Sequence, residues 1–388
     1  MTVGALLHLN GTPPPLTTLT EHVRRHLHRL PALTLTIENR ASHSRWHHLR
    51  PALEHHIRSQ ALPPGGAPHE AVRELAQAPL PANEPPWDLT LLHGHAPGRY
   101  ALLYRVNHGL QDGGGFVHTL ETLFSPTPIP PVQSSALVRP LIDAPRPTLR
   151  QTADAARLLA RATTRTGLWP HPEHGYSAER TLRWTAVPTH ALHALARPYG
   201  GTGNDAYIAA LAHTLQHWTA RHHPRPAAGT PLTVAISTRT PATLGLPGNH
   251  ATAGRFTLHG AGTALSQSLR ATVQATALLK SPPHRAAIRH ISRGTPPWLI
   301  RKAFTTIASP ERATVFCSGV AFRHPLSFLN HPVDAIDPLV CLPLGSPACT
   351  FLFTYQGLSS VLFTTDSALP GMDRLHHRWQ DTVHAAEA

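Results

Sequence analysis

The chain has 388 residues, 41% of them hydrophobic, which is enough for two ordinary domains or one large two-lobed body around a sizeable core. Only 14% of residues are charged, so charge-driven disorder is excluded even though 40 prolines and 31 histidines make the composition unusual. The net charge of +13 comes from scattered arginines, with lysine only at Lys280 and Lys302, and no nucleic-acid signature accompanies it, so the reading is no nucleic acid.

No window approaches the apolar run that a spanning helix needs, and residues 1–10 lack a basic stretch ahead of an apolar one, which predicts an unexported, cytoplasmic chain. Cys317, Cys341 and Cys349 are odd in number and far from metal-ligand spacing, so no disulfide framework is expected.

In chain order, residues 3–9 read as a strand and residues 20–30 as a helix, with Leu19, Val23, Leu27 and Leu30 at helical spacing and Pro31 closing it. A short helix is predicted at 67–76 and a proline-punctuated loop at 79–86. Residues 87–92 and 100–106 carry the strongest strand pattern and suit a hairpin through 94–99. A helix follows at 116–124, then a proline-rich connection over 126–147 and a helix over 149–165. The second half reads as strands at 180–187, 232–237, 255–258, 314–322, 349–355 and 359–364. Its helices fall at 189–195, 206–222, 263–279 and 372–386. There is no fixed-period repeat and no regular βαβ cadence. The expectation is a two-lobed α/β protein, residues 1–135 forming an N-terminal lobe and 136–388 a C-terminal lobe.

The sharpest feature is Asn107-His108-Gly109-Leu110-Gln111-Asp112-Gly113, which stands at the end of a predicted strand and runs into Gly114 and Gly115. A histidine delivered by a strand into a glycine-rich turn exposes its imidazole in a cleft, where a pKa near neutrality suits general acid and base work. Asp112, four residues on, either orients that ring directly or holds the loop by pairing with an arginine, the ring then being fixed by a backbone carbonyl.

The run from Asn107 to Gly113 resembles the His-His-x-x-x-Asp-Gly motif of the CoA-dependent acyltransferase superfamily, and most closely its wax ester synthase/diacylglycerol acyltransferase members. Support extends along the chain. Residues 3–11, Leu19, His22-Val23 and Leu30-Pro31 resemble that family's opening strand and helix, and Pro85-Pro86-Trp87-Asp88-Leu89 and residues 98–102 resemble its approach to the motif. Asn204-Asp205, Val234 to Arg239, Gly248-Asn249 and Thr354-Tyr355-Gln356-Gly357 resemble its later segments.

The departures are Asn107 in place of the first histidine, Cys317-Ser318 where Ser-Asn is usual, and a shorter chain.

The resemblance implies two chloramphenicol-acetyltransferase-like lobes meeting at a central tunnel. It implies His108 as the general base for acyl transfer from a thioester to a hydroxyl or amine, with Asp112 mainly structural and paired with Arg239. It implies Asn107, Gly113, Ser237 and Asn249 as substrate-binding residues: Gly113 lets the turn close, Asn249 ties the second lobe to the channel, and donors near Ser237 or Thr238 face the oxyanion. No cofactor is implied beyond acyl-CoA or an acyl-carrier thioester as substrate. The basic charge suits an acidic carrier protein or the phosphates of coenzyme A. A condensation-type enzyme using carrier-bound acyl or aminoacyl donors, and a repurposed relative without acyl transfer, are the competing expectations. A monomer or homodimer is expected.

Other motifs read as structure. For the pairs His47-His48, His55-His56, His222-His223 and His376-His377, adjacent histidines generally point apart and no cysteine or carboxylate completes a recognised spacing, so no metal site is expected. Gly200 to Asn204 lacks the Lys-Ser/Thr ending of a phosphate loop and reads as a turn into a helix. Nothing near Cys317 identifies a base that would make it a nucleophile.

Overall fold

The computed structural model describes residues 1–39, 44–130, 147–169, 171–177, 179–224, 229–259, 264–342 and 345–385. In the first half the elements are β1 (Thr2–Asn10), α1 (Leu16–His26), β2 (Leu35–Asn39), β3 (Ser44–His48), α2 (Leu53–His56), β4 (Ile57–Ala61), α3 (Pro68–Gln77), β5 (Trp87–Ala96), β6 (Arg99–Asn107) and α4 (Gly113–Phe124). Then come α5 (Leu149–Arg161), β7 (Arg180–Pro188), α6 (Thr189–Ala196), α7 (Gly203–His222), β8 (Gly229–Ser237), β9 (Ala251–His259), α8 (Leu265–Lys280), α9 (Pro282–Gly294) and α10 (Pro297–Ile307). The chain continues through β10 (Val315–Ala321), β11 (Ser327–Phe328), β12 (His331–Val340), β13 (Ala348–Tyr355), β14 (Leu358–Asp366) and α11 (Leu375–His384).

Two six-stranded sheets organise these elements, in the orders β11-β12-β1-β6-β5-β4 and β7-β14-β13-β10-β8-β9. Strand alternation explains the layers around the first sheet. From β1 and β6, Leu7, Leu9, Leu102 and Tyr104 join α1 and α4 in one core, while Leu6, Ala101 and Leu103 face Ala71 and Val72 of α3 in another. The second sheet packs on α7 and α11, where Tyr207, Trp218 and Trp379 are fully enclosed.

β12 lies in the C-terminal half of the sequence, yet it pairs antiparallel with β1 of the first sheet, Ala5 opposite Pro338 and Leu7 opposite Ile336. The first sheet is therefore completed by a strand that returns from the second lobe, and the lobes are not contiguous in sequence. The expected boundary at residue 135 and most of the proline-rich connection lie outside the described residues. Contacts across the lobes are made by β12 as well: Trp184 of β7 donates its indole N–H to the Pro338 carbonyl at 2.8 Å.

The element pattern expected from the sequence recurs, with differences that have local causes. β12 contains Pro332 and Pro338, which suppress a strand pattern; the two-residue β11 pairs only His331 and Pro332, so the rest of β12, with Pro338 opposite Ala5, is a sheet edge where proline is tolerated. The helices α9 and α10 each open on proline at the first helical turn, where a missing N–H costs nothing, so Pro282 and Pro297 start helices rather than mark a loop. Among the described residues no helix is long and apolar enough to cross a membrane.

Candidate active site

β6 ends at Asn107, and the chain turns through His108 and Gly109 before Asp112 caps α4. The Asn107 side-chain oxygen accepts the Gly109 N–H at 2.8 Å, and the Leu110 N–H bonds the Asn107 carbonyl at 2.9 Å, so Asn107 closes the turn from within. The His108 backbone N–H donates to the Met1 carbonyl at 2.9 Å. Its Nδ1 lies 3.1 Å from the Gln111 carbonyl. A carbonyl only accepts, so Nδ1 carries the proton and Nε2 keeps its lone pair. Burial pushes the His108 pKa below its ordinary value, against the opposing pull of backbone hydrogen bonds and Asp112, and favours the neutral ring.

Of the two roles left open for Asp112, the geometry has the loop-holding one. Its Oδ1 accepts Arg239 Nε at 2.6 Å and the Gly115 N–H at 3.0 Å, and its Oδ2 accepts the His250 N–H at 2.7 Å. The Arg239 guanidinium is wrapped by carbonyls of the following loop: Thr243, Leu244 at 3.1 Å, Leu246 at 2.9 Å and Gly248 at 2.8 Å. Both side chains are buried, so the charge of each is compensated by the other and by these dipoles. The same junction is stitched by the Gly248 N–H on the Leu110 carbonyl at 2.7 Å. Glycines at 113 to 115 are required by closeness: a Cβ would stand 2.5 Å from Val320 Cγ1 at Gly113 and 2.8 Å from Arg239 Cδ at Gly114.

His108 and Gly113 line a cavity of about 360 Å³ that is walled mainly by apolar groups, among them Phe316, Val340, Leu342 and Phe351, with the Ser318 side chain in the same lining. A second cavity of about 430 Å³ lies beyond a shared wall made of Asn249, Ala251 to Ala253, Phe304 and Ile307, and is lined by His250, Arg289 and Arg293. Burial lowers the Arg289 pKa, with the charges of Arg293 and Arg285 adding to the effect, so Arg289 faces a cluster of like charge.

Asn249 thus stands between the cavities, its Oδ1 accepting the Ala251 N–H at 2.9 Å. Asn107 lines neither cavity. Neither Ser237 nor Thr238 is in the lining of the His108 cavity, though Thr238 lines the second one. Ser237 is the exposed last residue of β8; it shares a strand face with Thr233 and Ala235 of the His108 cavity lining but lies beyond both cavities, and it accepts the Arg239 N–H at 3.3 Å. The Thr238 N–H and hydroxyl both go to the His250 carbonyl.

Ser318, singled out in the sequence only as a departure, is one of five hydroxyl-bearing residues in the lining of the His108 cavity, with Thr233, Thr252, Thr314 and Ser346. Its neighbour Cys317 is fully buried and burial pushes its thiol far up, while the Cys349 thiol is pushed up to about 12, so neither ionises near neutral pH. Gly200 to Asn204 forms a turn and helix entry, with Gly200 left-handed at φ 69° and a capping box between Thr202 and Asp205 opening α7.

The model of the wax ester synthase/diacylglycerol acyltransferase catalytic domain matches residues 3–207, just over half of the chain. The chain belongs to this family. The probable diacyglycerol O-acyltransferase Tgs4 of Mycobacterium tuberculosis is 26% identical over 221 residues, which cover 46% of this chain and 46% of Tgs4. The chain thus spans about half the length of the curated relatives it matches.

The fold likeness runs the whole length. The wax ester synthase/diacylglycerol acyltransferase from Marinobacter aquaeolei VT8 superposes with a TM-score of 0.63 at 18% identity, covering 100% of this chain and 94% of that one. The first condensation domain of the CDA synthetase gives 0.68 at 18% identity, covering 100% and 92%. A variant of the starter condensation domain of rhizomide synthetase, solved in complex with C8-CoA, gives 0.65 at 15% identity, covering 99% and 88%. The two-lobed chloramphenicol-acetyltransferase-like architecture is thereby shown.

Proposed function

We propose that this protein transfers an acyl group from a thioester to a hydroxyl or amine, with His108 as the general base. The observation that carries the reading is the His108 ring: held through Nδ1 by the Gln111 carbonyl, it keeps the Nε2 lone pair within an apolar cavity. Nε2 takes the proton from the acceptor as its oxygen or nitrogen attacks the thioester carbonyl carbon. Collapse of the tetrahedral intermediate breaks the C–S bond, and the departing thiolate takes that proton back from Nε2. Asp112 and Arg239 are positioning residues for the loop, and Gly113 allows its tight approach. Ser318 supplies a hydroxyl that can donate to the developing oxyanion.

The reaction so written draws on no cofactor beyond the thioester. The second cavity, with Arg289 and Arg293, suits the phosphate-bearing end of the donor, whether coenzyme A or the phosphopantetheine of an acidic carrier protein. A relative of the same fold is solved with C8-CoA, which supports the coenzyme A form. Intact-mass detection of product from a panel of acyl-CoA donors against alcohols and amines tests the reading. Product is expected from the wild type, with turnover lower by about 10² to 10⁴ in His108→Ala at unchanged folding. Product only from carrier-bound donors moves the assignment to a condensation-type reaction. Undiminished turnover in the variant removes His108 from the role of base.

A further inference from the structure

Away from His108, three side chains from three separate elements converge on one point. His8 of β1 and His69 of α3 each place Nε2 at 2.8 Å from the same atom, Asp337 Oδ2 of β12. The three ligand atoms all lie within 4.8 Å of one another. Asp337 is nearly enclosed while both imidazoles remain part-exposed, at 25% and 28% of their side-chain surface. The other carboxylate oxygen is held by the Ser360 hydroxyl, which β14 supplies from the second lobe. Burial opposes ionisation of Asp337, and hydrogen bonds and charge from His69 and His8 override it, holding its carboxyl well below the usual carboxylate range.

We infer that His8, His69 and Asp337 form a binding site for a divalent transition-metal ion, zinc being the ion that fits best. Two neutral imidazoles and one carboxylate are a ligand set suited to zinc, with a solvent molecule completing four-coordination on the part-exposed side. Tetrahedral zinc with bonds of about 2.0–2.1 Å separates its ligand atoms by roughly 3.3 Å, so each 2.8 Å contact opens by about half an ångström on binding. Each Nε2 then exchanges its bridging proton for the metal, and those protons leave to solvent. Ser360 acts in the outer shell, fixing the carboxylate so that Oδ2 faces the ion. The ion ties β1, α3 and β12 together, and through Ser360 it fastens the first sheet to β14.

The test uses the full chain, freed of metal with EDTA, mixed with one equivalent of zinc chloride, desalted and assayed for retained zinc and thermal midpoint. The expected result is about one zinc per chain, a raised midpoint, and visible d–d absorption of tetrahedral type when cobalt(II) chloride replaces zinc. His69→Ala and His8→Ala, both at part-exposed positions, should each weaken retention by more than about tenfold and abolish the rise in midpoint. Ser360→Ala should weaken retention without abolishing it. His55→Ala, in a histidine pair outside the cluster, should retain zinc like the wild type. A folded wild type that keeps no zinc overturns the site. Retention by His69→Ala and His8→Ala equal to that of the wild type overturns it too, by placing the ion on other histidines of this histidine-rich chain.

Discussion

His108 is set by contacts made within its own turn, and its pH behaviour follows from where that turn is buried. As a base the ring works only when neutral, and burial moves its pKa below the ordinary value of 6.5. The folded protein therefore keeps the active form down to a lower pH than free imidazole would. kcat/KM for an acyl-CoA substrate should be flat at neutral pH and fall about tenfold per pH unit below a midpoint that lies under 6.5. A pH profile measured on the free enzyme checks this, and a midpoint above 6.5 would show that the hydrogen bonds and Asp112 outweigh burial. At this scale the turn around His108 and the pairing of Asp112 with Arg239 were legible in the sequence. The surroundings of Ser237 and Thr238 were not legible, because a strand end exposes one and a loop carbonyl takes the hydrogen bonds of the other, and neither leaves a mark on local composition.

Among the elements, α7 shows how far sequence pattern reaches. Fourteen of its twenty residues are buried, so no polar stripe reveals its orientation, yet its alanines and the preceding glycine turn identify it as a helix. Its start is held by Asp205, which caps the Thr202 N–H at 2.6 Å, bonds Thr276 at 2.6 Å and pairs with Lys280, one of the two lysines in the chain. Its other flank rests on Trp379 of α11, which is fully enclosed and donates its indole N–H to the Tyr207 carbonyl at 3.3 Å. Trp379→Ala should leave a cavity beside α7 and cost about 3–5 kcal/mol. Urea denaturation should read this as a lower midpoint with the slope unchanged. The helices α9 and α10 and strand β12 escaped the sequence reading for one reason: proline is tolerated at a helix start and near a sheet edge, where no donor is needed.

For the molecule as a whole, Arg239 is a fastening between lobes, beside the Trp184–Pro338, Ser360–Asp337 and Gly248–Leu110 contacts. It joins Asp112, 127 residues earlier in the chain, to the loop that carries Gly248 and His250. Arg239→Ala would strand the buried Asp112 carboxylate together with four loop carbonyls, and about 3–5 kcal/mol of destabilisation is expected. Arg239→Lys should rescue only part of it, since an ammonium cannot reach a carboxylate and a ring of carbonyls as a planar fork does. Denaturation curves for both variants check the order. If acyl transfer is measured in the lysine variant, turnover should fall more than thioester binding, because His108 is displaced with its loop while the apolar walls remain.

What the sequence determined by itself is local. A strand, a tight glycine-rich turn and a helix entry are encoded within a dozen residues around His108, and the order of side chains there specifies which group is delivered into a cleft. The tertiary structure alone decided which groups meet from a distance. These are the carbonyl cage around Arg239, the Ser318 hydroxyl in the His108 cavity, the return of β12 to the first sheet, and the convergence of His8, His69 and Asp337. Such meetings depend on sheet register and on the docking of one lobe against the other. Both are set by burial summed over the whole core, and no window of sequence contains that sum.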